Sequence, residues 1–303
     1  MADISYLNNL ITPKLLSLVV EVWLPLSKTD PIIFGESIQK NFWEAGDNTP
    51  KVRPAVWPVL KALSEIGLDN IPDLMVFLPS VESSDFPEQA LGLQLLLDQA
   101  PRLLCRGVDA RWTYGYFEEI SVGLTLKLAA LPPDMRPSSW SRWKGSASFE
   151  YFVWVRTQLG APFAHHERYG EANVAFSEET RMLVEEHCGV RDPHRDQPES
   201  EKRWDLHSFP RLIRERGPPR SCGTAEGAFW LTCLMDAHKP PLDKYGRYPY
   251  RNGWLGRVNT PAEDEWMMKT ENFAAAPKEV SDKIREDVEN GVWTPLGDGS
   301  GGT

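Results

Sequence analysis

Tyr245 to Trp266 read YGRYPYRNGWLGRVNTPAEDEW, a stretch with three arginines, five glycine or proline breaks and a strong helix start. Thr260-Pro261-Ala262-Glu263 is a capping box. The threonine hydroxyl accepts from the third backbone N–H, the glutamate reaches back, and proline takes the first helical position. This predicts a helix through about Met268. The upstream counterpart is LGLQLLLDQAPRLLCRG, Leu91 to Gly107. Asp85-Phe86-Pro87-Glu88 has the same box form, so the leucine-rich helix is predicted to begin there with Asp85 as its cap.

Working outward, Thr12 caps a buried helix over 13–24 and Pro25 stops it. A second helix lies near Glu36–Trp43. Gly46 to Pro58 holds Pro50, Pro54 and Pro58, too many for a regular element, and Val59–Ile66 is a short helix ended by Gly67. Thr113–Leu131 is helical, and the Pro/Ser/Trp-rich stretch 132–148 is a loop, either pinned by Trp140 and Trp143 or flexible. Phe149–Leu159 is a helix ended by Pro162. Ser177 caps the next one, which Gly189 terminates. Ala225–Lys239 is stopped by Pro240-Pro241, and Lys278–Asn290 is the last helix. Val190–Trp204 is charged and proline-interrupted, which predicts a mobile lid or a disordered loop. No convincing alternating strand appears, so the chain reads as all-α.

Hydrophobic residues make up 41% and charged ones 25%, the balance of a globular chain able to bury a core without disulfides or metal. The 12 tryptophans suit a packed core or an aromatic cavity. A net charge of −10 argues against nucleic acid. Cys105, Cys188, Cys222 and Cys233 have no CxxC spacing and read as small buried hydrophobes in a reducing compartment. The apolar run Leu15 to Leu26 is too short to span a membrane, and MADISYLNN lacks the basic start of a signal peptide. A cytoplasmic protein is expected. With no Gly-rich phosphate loop, GxSxG or HExxH, neither a cofactor nor a metal is expected.

LLLDQAPRLLCRG resembles the LDQFPRNxxRG block of the helical family called domain of unknown function 924. YGRYPYRNGWLGRVNTPAEDEW resembles that family's closing block, FGRFPHRNxxLGRxSTxEE, and His165-His166-Glu167 sits where the family has His-Ser-Glu. The likeness spans about residues 35–273. It implies TPR-like antiparallel helix pairs forming one helical domain over 35–294, around an aromatic-rich cavity. Residues 1–34 are expected to form a helical segment packed on that domain, and 295–303 a flexible tail. The resemblance implies no agreed activity; fungal members accompany specialised metabolism, and a divergent fungal member is expected here. The chain departs from the family's pattern at Ala100, Leu103, Gly115, His166 and Tyr250. Ala100 and Gly115 remove bulk, which suggests a larger, greasier ligand.

Two readings of the polar residues stay open. In one, Asp98, Arg102, Glu167, Arg247 and Arg251 form a buried ion-pair network that serves architecture. In the other, the surplus of arginine leaves a guanidinium for a ligand carbonyl or carboxylate. On the second reading Arg251, Tyr250, His166 and Glu167 are the candidate catalytic residues. Arg102, Asp98, His165, Arg247, Trp112 and Trp254 are the candidate ligand-binding residues. The function expected is a cofactor-free isomerase, cyclase or lyase, pericyclic chemistry included, acting on an apolar small molecule of terpenoid or polyketide type. The alternative is a non-catalytic helical module that grips a peptide or small carboxylate.

Overall fold

The computed structural model describes residues 4–44, 46–195 and 205–298, and every regular element among them is helical. In chain order the helices are α1 (Ile4–Leu10), α2 (Pro13–Trp23), α3 (Phe34–Phe42), α4 (Thr49–Ile66) and α5 (Phe86–Leu104). Next come α6 (Ala110–Trp112), α7 (Glu118–Ala129), α8 (Phe149–His165), α9 (Gly170–Cys188) and α10 (Ser208–Arg214). After these the chain forms α11 (Thr224–Asp236), α12 (Lys239–Tyr245), α13 (Pro261–Lys269) and α14 (Lys278–Glu289). None of the described helices is long and apolar enough to cross a membrane. The chain divides into two compact units, the first drawn from Met1–Trp23, Asp47–Pro137 and Pro249–Thr303, the second from Leu24–Gly46 and Ser138–Tyr248.

In the first unit α5 is apolar on nearly all sides, with Leu91, Leu93, Leu95, Leu96 and Leu97 all buried, so it is wrapped by neighbours rather than laid on a surface. Each such leucine contributes roughly 1.5–3 kcal/mol by burial. α2 starts where expected, Leu15 N donating to Thr12 Oγ1 at 3.3 Å. It approaches α5 so closely at Gly92 that a Cβ there would stand 2.5 Å from the Leu16 carbonyl oxygen.

The two capping boxes behave differently. At Thr260 both bonds form, Glu263 N to Thr260 Oγ1 at 3.3 Å and Thr260 N to Glu263 Oε2 at 2.6 Å. At Asp85 the helix begins at Phe86 as predicted, but the side chain makes no cap bond. Its backbone is already helical (φ −83°, ψ −17°), whereas a side-chain cap favours an extended residue, as at Thr260.

α4 corrects the irregular reading of 46–58. It starts at Thr49 and carries Pro54 and Pro58 inside it. Pro50, Pro54 and Pro58 fall four apart on the exposed face, while Val52, Val56 and Leu60 are buried on the other. The carbonyls that lose a helical donor therefore face water, where they cost little. The expected tail is also held down over its described part. Leu296 is buried and donates its N–H to Ser64 Oγ at 3.0 Å, and Trp57 Nε1 donates to the Gly297 carbonyl at 2.9 Å.

In the second unit α8, α9 and α11 pack on one another and α3 lies against α11. Ser148 caps α8, accepting from Tyr151 N at 3.2 Å. Trp154 stacks on Phe34 at 5.8 Å and donates to Ser37 Oγ at 2.8 Å. The loop before α8 is ordered, with Trp140 against Phe149 and Phe152 at 5.5 and 5.2 Å.

Three proline and cap readings change here. Pro162 lies inside α8, which runs on to His165, because one missing N–H removes a single helical bond. Ser177 is interior to α9, buried, and donates to Asp236 rather than capping. Pro240 and Pro241 sit in the first turn of α12, where a missing N–H costs nothing. Gly189 ends α9 in the left-handed conformation (φ 67°), as expected. Of the predicted lid, 196–204 lie outside the described residues. The part before them is anchored: Asp192 accepts from Arg181 Nε at 2.8 Å, and Arg195 Nε donates to Glu185 at 2.6 Å.

Candidate functional site

Between α6 and α7 the chain makes a π-helical turn, Thr113–Phe117. One residue added to a turn rotates the next helix by about 100° around the axis. This brings Glu118, the first residue of α7, into the core of the first unit, where it is 4% exposed. Such turns recur at functional sites.

Glu118 is the hub of a charge cluster. Its Oε1 accepts from Arg102 Nη2 at 2.6 Å and its Oε2 from Arg251 Nη1 at 2.7 Å. Asp98, one turn before Arg102 on α5, lies 3.5 Å from the same Nη2 and accepts from Gln99 Nε2 at 2.6 Å. Pro101 inside α5 does not prevent the Asp98–Arg102 pairing. Both guanidiniums stand over the Tyr114 ring, at 5.7 and 5.1 Å, and Tyr114 in turn packs against Trp254 at 6.2 Å. Burial raises the Glu118 carboxyl above its ordinary range, and the charges of Arg251 and Arg102 pull it back. Burial likewise raises the Tyr250 phenol, so it stays a neutral hydrogen-bonding group.

The balance of charge differs from the sequence expectation. There Asp98 neutralises one of several arginines; with Glu118 present, two carboxylates face Arg102 and Arg251. Accessibility separates the two arginines. The Arg251 side chain is 3% exposed and Arg102 20%. The Arg102 Nε is buried and has no acceptor among the described residues.

The aromatic candidates are tied into structure. Trp112 is buried, donates its Nε1 to the Thr294 carbonyl at 3.1 Å and meets Trp293 edge-on at 5.1 Å. Trp254 Nε1 donates to the Ala274 carbonyl at 2.9 Å. The space freed at Gly115 is not left for a ligand. A Cβ there would lie 2.8 Å from the Trp293 ring, so the chain fills it with its own tryptophan.

The remaining candidates, His165, His166, Glu167 and Arg247, belong to the second unit. Glu167 Oε1 accepts from the Tyr248 N–H at 2.9 Å, and the Tyr248 hydroxyl donates to the Ala164 carbonyl at 2.6 Å. His166 is buried, its Nδ1 accepts from Arg168 N at 3.1 Å, and its ring meets Tyr169 at 5.0 Å. His165 lies 6.3 Å from His238, whose Nδ1 reaches the Leu234 carbonyl at 2.9 Å. Arg247 is half-buried. The YGRYPYRN motif is thus divided after Tyr248, its two halves serving different units.

A family model described as "Bacterial protein of unknown function (DUF924)" matches residues 78–271, well over half of the chain. No curated protein and no solved structure matches it.

Proposed function

The chain belongs to that family, and from this premise we propose that the first unit binds a small molecule through Arg102 and acts on it without a cofactor. The observation that supports this is the accessibility of Arg102 beside its buried neighbours. Glu118 and Asp98 hold one edge of the guanidinium while its Nε has no acceptor among the described residues, over an aromatic face. A guanidinium so held presents a pre-aimed donor to a carbonyl or carboxylate. Glu118 and Arg251 act as positioning residues, and Tyr114, Tyr250 and Trp254 supply the apolar and aromatic surroundings. Chemistry of the isomerase, cyclase or lyase kind needs orientation and polarisation rather than a nucleophile. TPR-like helix pairs around an aromatic-rich cavity, a cytoplasmic setting and an apolar substrate from fungal specialised metabolism belong to the same proposal. His165, His166, Glu167 and Arg247 carry no step of it.

The test is native mass spectrometry after incubation with mixed terpenoid and polyketide extracts, on the natural chain and on Arg102→Lys. The substitution keeps the charge but loses the planar fork. A small molecule retained by the natural chain, and retained about tenfold less by a variant of unchanged melting temperature, supports the proposal. Equal retention by both, or no retention, overturns it. A retained peptide in place of a small molecule favours the non-catalytic module.

A further inference from the structure

The second half of the closing motif lines, together with α13, α14 and the loop between them, a half-open cavity of about 480 Å³, distinct in its lining from the Arg102 cluster except for Tyr250. Its polar wall carries Arg257 and Asn259 from the loop before α13, Asn272 from the loop after it, Ser281 and Arg285 from α14, and Asp264. The volume falls within the range of small-molecule sites.

Three features of this wall point to a bound anion. First, the wall brings the Arg257 and Arg285 guanidiniums to one cavity with Asp264, whose carboxylate accepts from Asn259 Nδ2 at 2.9 Å. Asn259 is itself fixed by Asn252, whose Nδ2 donates to its Oδ1 at 2.7 Å. Second, the Arg285 Nε is buried without an acceptor among the described residues. Of the acids beside it on α14, Asp282 pairs with Lys278 and also feels the Arg285 charge, while Glu286 and Asp287 are engaged by Lys283 at 3.0 and 2.9 Å. A buried guanidinium donor without an acceptor is costly, and a ligand oxygen would relieve that cost.

Third, the backbone around Asn272 is strained. Glu271, Asn272 and Ala274 have φ of 53°, 55° and 51°. Asparagine tolerates this region, but for glutamate and alanine it costs free energy that the surroundings must impose. The imposing bonds are Asn272 N to the Met267 carbonyl at 2.8 Å and Trp254 Nε1 to the Ala274 carbonyl at 2.9 Å. The result is an Asn272 that lines the cavity together with the motif loop.

We propose that this cavity is a binding site for a small organic monocarboxylate bearing a second hydrogen-bonding group. The carboxylate lies against Arg285 and Arg257, and Asn272 and Ser281 meet the second group. Met267 and Val258 flank its apolar part. Asp264 limits the ligand to one negative charge, since a dianion would face it at close range. This site does not rest on the Arg102 reading.

Isothermal titration with lactate, mandelate and N-acetylleucine tests it, with mandelamide and inorganic phosphate as comparisons. At least one carboxylate binds saturably, mandelamide does not, and phosphate binds more weakly. Arg285→Ala weakens the carboxylate at least tenfold without lowering the melting temperature, and Arg285→Lys recovers part of the loss. Arg102→Lys leaves this binding unchanged, which separates failure here from failure of the proposed function. Absence of saturable binding by all three carboxylates, tighter binding of phosphate, or an Arg285→Ala variant that binds like the natural chain would each overturn the proposal.

Discussion

Each unit buries an arginine among carboxylates, and the two clusters are finished differently. In the second unit Arg181 is 1% exposed and its partners Asp192 and Asp236 are not exposed at all. Its Nε, Nη1 and Nη2 all have acceptors, in Asp192, Ser177 and Asp236. In the first unit Arg251 is buried against Glu118, while the Arg102 side chain is 20% exposed and its buried Nε has no acceptor among the described residues. A closed network has nothing further to bind, so it joins helices distant in sequence. One that keeps a single guanidinium partly exposed has the rigidity of the closed kind and leaves that cation room for a further partner.

The comparison breaks hardest at Arg181. Arg181→Met takes the cation from buried Asp236 and leaves Asp192 with His194, which costs about 3–5 kcal/mol. The melting temperature should fall on the order of 10 °C in a scan by circular dichroism. A variant that melts with the natural chain would mean that the second cluster is not closed in solution.

Arg251→Lys sharpens the contrast within the first unit. The lysine keeps the charge and loses the fork aimed at Glu118, a loss of about 1.5–3 kcal/mol that should appear in chemical denaturation. Ligand retention by the folded fraction should persist. Normal stability with lost retention would move the ligand-facing role from Arg102 to Arg251.

The smallest effect concerns pH. The hydrogen bond to Asp192 raises His194 to about 10 from its ordinary 6.5, so the stability it adds is full below 6.5 and fades as pH rises toward 10. Burial disfavours the Asp192 anion, but bonds from His194 and the charge of Arg181 outweigh it and hold its pKa at about 2. That contribution is present above 3.8 and lost as pH falls toward 2. Melting temperature against pH should therefore be highest between 3.8 and 6.5. His194→Gln should flatten the alkaline decline and also weaken the acid one, since the side chain that helps hold Asp192 down is gone; an unchanged alkaline limb would show that His194 titrates without Asp192.

The features legible in the sequence obey local rules, and those it hides do not. The Thr260 box, the buried face of α2, the DQAPR helix and the Gly189 stop each depend on a few adjacent residues, and each lies where the sequence places it. Three prolines suggest a break in α4, yet a spacing of four on the exposed face makes them compatible with helix. Glu118 is hidden for a different reason. Tyr116-Phe117-Glu118-Glu119 offers two neighbouring acids, and the π turn determines which is buried: Glu118 is inside and Glu119 half-exposed. No local pattern announces that extra residue. The division of YGRYPYRN between two units is equally invisible, since nothing at Tyr248-Pro249 marks a boundary in composition.

The bond from Leu296 N to Ser64 Oγ spans 232 positions. On a ribosome adding about 5–20 residues per second, the two groups emerge roughly 10–50 s apart. During that interval α4 has been made while the segment that covers Trp57 and Ser64 has not. The last stretch of the second unit, Ser138–Tyr248, is synthesised in between. That unit therefore has its whole chain first, and the first unit must wait with part of its apolar surface uncovered. The closing segment thus makes assembly of this chain vectorial, with the earliest unit to begin the last to finish.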